Sequence, residues 1–527
     1  MTNNGKSTRL LQHYIGEPGK YVNSTSVIIL LMVLMKLLIP LFINHDFGFQ
    51  RDELLYMAQG NHLSWGFIAV PPFTAFIAKV TKILFGYGLY STRFFPALSG
   101  AFSLWLTTLI AKEMGGNSFA RILSGVSYLF ALAYIRMNLL FQPVTFNVFF
   151  FVLGAYLFIR VLKTNEPKYW IWLGITIGIG LLNKYTMLLF GFGITAGLLL
   201  TGYRTYFLTK WSWISAAIAI ILFLPNLIWQ QMHQWPFFQQ MQILNQYQFV
   251  HVHTLSFLIM QVLQTLFVTP VWIIGLCFLF TKQGKKYRPI GWAYLTILMV
   301  LLIEQGKAYY LAASYPMLIA AGSVMIEQFI DRKSWVFLKK LSIGLIISCT
   351  LIYIPVGIPV FSVPGMIRYF KFGSKYLYMK SALRWETGKY HSLPQDYADM
   401  LGWEKMASIT ADIYHSLPKS EQKECAVFAN NYGEASAINY YSSYFHIPQA
   451  ISSNSSYWLW GYHNNTGRVM IIIGSNEKDI SIFYKDVRKA AIFRFPHSRE
   501  SGVSIFVGKQ PKQAMTQLWP ILKRDMY

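Results

Sequence analysis

The chain has 527 residues, 54% of them hydrophobic and only 13% charged, about half the charged share of an ordinary soluble protein. Folding in water alone could not bury so much apolar surface, and the 16 Trp, 33 Tyr and 40 Phe are ring types that gather at membrane interfaces. The net charge of +24 is spread over short loops between apolar runs and not concentrated on one soluble face, which argues against nucleic acid as a partner and for membrane lipid as the solvent.

In chain order, the stretch Met1 to Ser26 is polar and too long to be the start of a cleavable signal peptide. It is expected to be a cytoplasmic N-terminus (1–26), with the first apolar run kept as an anchor. A spanning helix needs about 20 mainly apolar residues. Runs near that length fall at 27–43, 94–111, 119–135, 144–162, 169–182, 185–201, 212–229, 256–280, 289–303, 309–330 and 341–361. The expected fold is therefore a polytopic α-helical membrane domain (27–361) of about eleven transmembrane helices.

Lys and Arg accumulate on the cytoplasmic side of a membrane. Alternate loops hold Lys112, Arg121, Arg160, Lys163, Lys168, Arg204, Lys210, Lys282, Lys285, Lys286, Arg288, Arg332, Lys333, Lys339 and Lys340, whereas the others are much poorer in basic residues. This bias predicts a cytoplasmic N-terminus, and an odd number of spans then places everything after Phe361 outside. Residues 362–393 read as a linker. Beyond it, 394–527 reads as an extracytoplasmic α/β domain, with Pro394 to Leu417 helical and Arg468 to Gly474 and Val503 to Gly508 as strands. Cys277, Cys349 and Cys425 offer no disulfide framework or zinc ligand set.

The first outside loop, 44–92, contains Asp46-Phe47-Gly48-Phe49-Gln50-Arg51-Asp52-Glu53-Leu54-Leu55-Tyr56, then Trp65-Gly66-Phe67 and Pro71-Pro72. Acidic residues are scarce in this chain. Two adjacent carboxylates beside an Arg at the membrane edge suit a general base for a hydroxyl or amine, and they equally suit a salt-bridged interfacial turn. Lys184 sits in a near loop-less hairpin between two apolar runs. There it can meet a lipid phosphate as a point charge or simply snorkel from a helix end. His233 and the segment Gly306-Lys307-Ala308-Tyr309-Tyr310 lie on the same expected side. So do Gln142, Thr145 and Asn147, which buried interhelical hydrogen bonds would explain as well.

Taken in order, Asp52-Glu53 with Tyr56, Gly66, Pro71-Pro72, Arg93, Gly115-Gly116, Lys184-Tyr185, Leu224-Pro225 with His233, and Gly306-Lys307 with Tyr310 resemble the GT-C glycosyltransferases of the protein O-mannosyltransferase type (family 39), which include the lipid A aminoarabinose transferases. The resemblance covers roughly 40–330. It implies a bacterial inner (plasma) membrane enzyme moving a sugar from a polyprenyl-phosphate carrier to a glycan, lipid or protein acceptor outside the cytoplasm, with inversion at the anomeric carbon. It also implies catalytic carboxylates at Asp52 and Glu53, donor-phosphate contacts from Lys184, Arg51 and Lys307, and a cavity lined by His233, Tyr310 and Tyr56. Two positions depart from the family pattern, Val70 before the Pro pair and the Gln142, Val144 and Asn147 group where relatives carry an Asp.

No P-loop or dinucleotide fingerprint is present, and one carboxylate pair is too little to define a metal site. No cofactor is assigned. A transporter or flippase of lipid-linked sugars is the main alternative, but it would be expected to show internal repeats, and none stands out. A glycan-binding receptor would leave Asp52, Glu53 and Lys184 without a shared purpose.

Overall fold

A computed structural model describes residues 24–247 and 254–525 of the chain. The expected cytoplasmic segment therefore lies almost wholly outside the described residues. Every apolar run coincides with a helix. Among the described residues, eight helices are long and apolar enough to cross a membrane, and a ninth arises if the pair Met187–Leu199 and Gly202–Leu208, bent by 111°, forms one span. The other two runs give shorter elements. One is Pro167–Asn183, and the other is Ser118–Phe130 followed, after a break at Ala131, by Leu132–Met137.

Beyond the break at Ala131, Lys36 of the first helix donates to the Tyr134 carbonyl at 2.7 Å, a carbonyl that also accepts from the Asn138 N–H at 3.2 Å. At the opposite end of the bundle from the first loop, the basic loops converge. Glu113 accepts from Arg160 at 2.8 Å and from Lys163 at 2.6 Å, and Tyr287 donates to the Glu113 carbonyl at 2.8 Å.

Residues 44–92, expected as a loop, contain two helices, Arg51–Asn61 and Phe73–Phe85. The first starts on a capping box built from Gln50, whose side chain accepts from the Asp52 N–H at 2.8 Å while Glu53 Oε2 accepts from the Gln50 N–H at 2.9 Å. Gln is an unusual N-cap, so the start was hidden in the sequence. Leu54, Leu55, Met57 and Ala58 of this helix are buried in the same core as Ala435, Ile438, Ile471 and Val507 of the C-terminal domain.

That domain holds a five-stranded sheet: β1 Cys425–Ala429, β2 Ala450–Ile451, β3 Val469–Ile473, β4 Tyr484–Ile492 and β5 Ser504–Pro511, in the order β2-β1-β3-β5-β4. The first three strands are parallel and the last two join antiparallel. Residues 394–417 form two helices, Gln395–Ala398 and Trp403–Ser416, separated at Gly402, whose φ of +89° favours glycine.

Within 362–393 the chain forms the helix Val363–Tyr376. Met366 and Phe370, four residues apart on one helical face, bury against Phe47 of the first loop and Tyr397 of the domain. Further bonds tie the domain to the membrane bundle. Gly48 N–H donates to the Met400 carbonyl at 3.1 Å, Tyr440 to the Tyr87 carbonyl at 2.9 Å and Tyr397 to the Pro355 carbonyl at 2.9 Å, and Arg136 pairs with Asp396.

Candidate active site

Glu53 is wholly buried and every oxygen is engaged. Its Oε2 lies 2.7 Å from Arg93 Nη2, and its Oε1 accepts from Arg93 Nε at 3.0 Å and from the Phe141 N–H at 2.9 Å. A carboxylate so enclosed has no lone pair facing an open space. Asp52, one residue earlier, is only partly buried. Its Oδ1 accepts from the Tyr432 hydroxyl at 2.8 Å, and among the described residues its Oδ2 has one long contact, 3.4 Å from Gln142 Nε2.

Lys184 ends the helix Pro167–Asn183 in extended conformation. Its neighbour Asn183 is fully buried, accepting from Thr74 at 3.1 Å and donating to the Pro143 carbonyl at 2.9 Å. The turn is thus anchored to the first-loop helix Phe73–Phe85 and to the start of the helix Pro143–Thr164. The Lys184 ammonium lies 5.4 Å from the centre of the Tyr310 ring. Burial and the neighbouring Lys307 push Lys184 down to about 8, with Asp52 acting in the opposite sense. Asp52, Lys184 and Lys307 therefore share one electrostatic neighbourhood, and Tyr56 adjoins Asp52, Tyr310 and Tyr432.

Lys184 and Tyr310 border a cavity of about 480 Å³ whose walls include Leu189, Leu227, Trp235, Phe237, Phe238 and Leu301. Lys184 is the cation of this cavity, its walls are mainly apolar, and Glu304, Gln230 and Gln240 are among its polar lining residues. Tyr185 and Gln230 stiffen one wall, since Gln230 Nε2 donates to the Tyr185 hydroxyl at 2.8 Å and Tyr185 donates to Asn226 Oδ1 at 3.2 Å. Asn226 also donates to the Trp65 carbonyl at 2.7 Å, joining this wall to the first loop. At Gly66 a Cβ would fall 2.3 Å from the Trp229 ring, so glycine permits the loop to close on this helix. A cavity of about 210 Å³ in the C-terminal domain shares no lining residue with it.

The remaining expected residues are placed differently. Arg51 does not line the cavity: its guanidinium stacks 4.2 Å from the Tyr432 ring centre. Lys307 pairs with Glu386 at 3.8 Å. His233 stacks on Trp229 at 4.1 Å and its Nδ1 lies 2.8 Å from the Trp229 carbonyl, outside the cavity lining. Sequence reasoning missed Tyr432 altogether as a neighbour of Asp52, because 380 residues separate them. Among the described residues no group of three or more His, Cys, Asp and Glu side chains could hold a metal ion.

The mostly helical membrane bundle, with its first loop folded into a C-terminal α/β domain, is similar in fold to a solved membrane protein, and part of the bundle matches a family model. Residues 69–229 match the family model for dolichyl-phosphate-mannose-protein mannosyltransferase. The fold is similar to the crystal structure of ArnT from Cupriavidus metallidurans bound to undecaprenyl phosphate, with a TM-score of 0.60 at 12% identity, covering 91% of this chain and 97% of that one. The apo structure of the same ArnT matches with a TM-score of 0.60 at 13% identity and the same coverage. No curated protein matches the sequence.

Proposed function

We propose that the chain is an inverting glycosyltransferase that moves a sugar from a polyprenyl-phosphate carrier to an acceptor on the extracytoplasmic face of the bacterial inner membrane. The observation that carries this reading is the pairing of a mainly apolar cavity, capped by Lys184, with an underused carboxylate at Asp52 in the same electrostatic neighbourhood. A polyprenyl tail fits apolar walls, and its phosphate fits the ammonium. The ArnT relative, bound to undecaprenyl phosphate, has the same fold.

In this mechanism Asp52 Oδ2 takes the proton of an acceptor hydroxyl or amine as its nucleophile attacks the anomeric carbon from the face opposite the phosphate. The bond between that carbon and the phosphate oxygen breaks, and its electron pair leaves with the polyprenyl phosphate. Lys184 stabilises the charge gathering on the leaving group. The proton passes from Asp52 to solvent. Glu53 serves differently: its buried pair with Arg93 fixes the helix that presents Asp52. Lys307 adds positive potential near the phosphate, while Arg51 belongs to the contact with the C-terminal domain.

The test is turnover of undecaprenyl phosphate carrying a radiolabelled hexose or pentose, taken from a panel so that the sugar used by the wild type is carried forward. Release of undecaprenyl phosphate with label on an envelope acceptor supports the reading. Movement of intact labelled lipid across vesicles without release of undecaprenyl phosphate would make the chain a flippase.

A further inference from the structure

The segment Asn431-Tyr432-Gly433-Glu434 follows β1 and opens the helix Tyr432–Phe445. Asn431 accepts from the N–H groups of Gly433 at 2.9 Å and Glu434 at 3.0 Å, and Glu434 accepts from the Asn431 N–H at 3.3 Å. This capping box holds Tyr432 at the first position of the helix. The Asn454 side chain also accepts from the Tyr432 N–H at 3.3 Å.

From that position the ring extends to the first loop, where the Arg51 guanidinium covers one face at 4.2 Å and the hydroxyl donates to Asp52 Oδ1 at 2.8 Å. Glycine at 433 is needed for the approach, because a Cβ there would fall 2.6 Å from Arg51 Cγ. Burial, reinforced by the Asp52 charge, raises the Tyr432 hydroxyl above its ordinary range, so it stays a proton donor.

Docking alone does not require this bond. The helix Arg51–Asn61 already buries Leu54, Leu55 and Met57 in the core of the C-terminal domain, and Tyr440 bonds the Tyr87 carbonyl nearby. What the hydroxyl does is occupy one oxygen of a carboxylate whose other oxygen, among the described residues, has only the long Gln142 contact.

We propose that Tyr432 of the C-terminal domain is a positioning residue for Asp52, its hydroxyl fixing Oδ1 so that Oδ2 is turned to the acceptor. This rests on the reading of Asp52 as the general base. The C-terminal domain then completes the active site, and the membrane bundle by itself lacks an oriented base.

Tyr432→Phe removes only the oxygen and keeps the ring beneath Arg51. With the labelled undecaprenyl-phosphate sugar that the wild type consumes, kcat is expected to fall about 10- to 100-fold, with donor KM within about twofold. Thermal stability and undecaprenyl phosphate binding should be unchanged. On an Asp52→Asn background the same change should cost nothing further, since both act through one group. Tyr432→His, which keeps a ring and a donor, should recover part of kcat. If Asp52→Asn is impaired but Tyr432→Phe keeps wild-type kcat, or if the two losses multiply independently, the positioning role is wrong and the base assignment stands. If Asp52→Asn itself turns over normally, both fall.

Discussion

Arg93 and Glu53 meet at 2.7 Å with neither side chain exposed to solvent, across 40 residues of chain. Removing one partner of such a pair strands a buried charge, at about 3 to 5 kcal/mol. Glu53→Gln and Arg93→Met should therefore each lower the melting temperature of the detergent-solubilised protein sharply, while Asp52→Asn leaves it near wild type. Equal melting temperatures for all three would remove the structural role given to Glu53.

Lys184 should control donor affinity in a pH-dependent way. With its ammonium near 8 in the absence of ligand, the cation is present at pH 7 and lost as pH rises through about 8. Binding of undecaprenyl phosphate, followed by fluorescence of the cavity tryptophan Trp235, should weaken on going from pH 7 to pH 9.5. Lys184→Ala should bind weakly at both values, and Lys184→Arg should bind without the pH dependence. A wild type with flat affinity over this range would mean that Lys184 does not hold the phosphate.

Glu434 offers a separate test in the C-terminal domain. Burial, with Glu500 adding to it, pushes this carboxyl up to about 8, so the folded state holds a proton that the unfolded chain releases at about 4.5. Stability from this group is present below about 4.5 and is lost as pH rises towards 8. Glu434→Gln should raise thermal stability at pH 8.5 by on the order of 5 kcal/mol and make little difference at pH 4.5. A variant less stable at both values would show that the ionised carboxylate is needed.

The membrane architecture was legible because lipid requires long apolar helices, and each apolar run is a helix. Asp52 and Lys184 stood out for a related reason, since charge is rare in this chain and costly at the membrane edge. What could not be read were pairings over long separations. Glu53 beside Asp52 looks like a second catalytic carboxylate until Arg93 closes on it, and Tyr432 gives no local sign that it meets Asp52. The helix Arg51–Asn61 was hidden by its Gln cap and polar surface, because the partners that bury its apolar residues come from the C-terminal domain, chiefly its helix Tyr432–Phe445, over 350 residues later. His233 was singled out as a polar group near the cavity, yet its ring is spent on Trp229.

Orientation follows from loop charge and can be checked without any substrate. In a variant with Cys277, Cys349 and Cys425 replaced, a new cysteine at the exposed Asn464 should react with an impermeant thiol reagent added to intact cells, and one at exposed Lys285 should not. Labelling at both positions would contradict the assigned topology.

Asp52→Asn tests the central claim most directly. Asn keeps the size of the side chain and can still accept from Tyr432, but it cannot take a proton at neutral pH. General-base catalysis contributes about 100- to 10,000-fold, so turnover of the labelled undecaprenyl-phosphate sugar should fall on that scale, with undecaprenyl phosphate binding and melting temperature unchanged. Turnover within a few-fold of wild type would contradict the account, whatever the fate of Glu53 and Lys184.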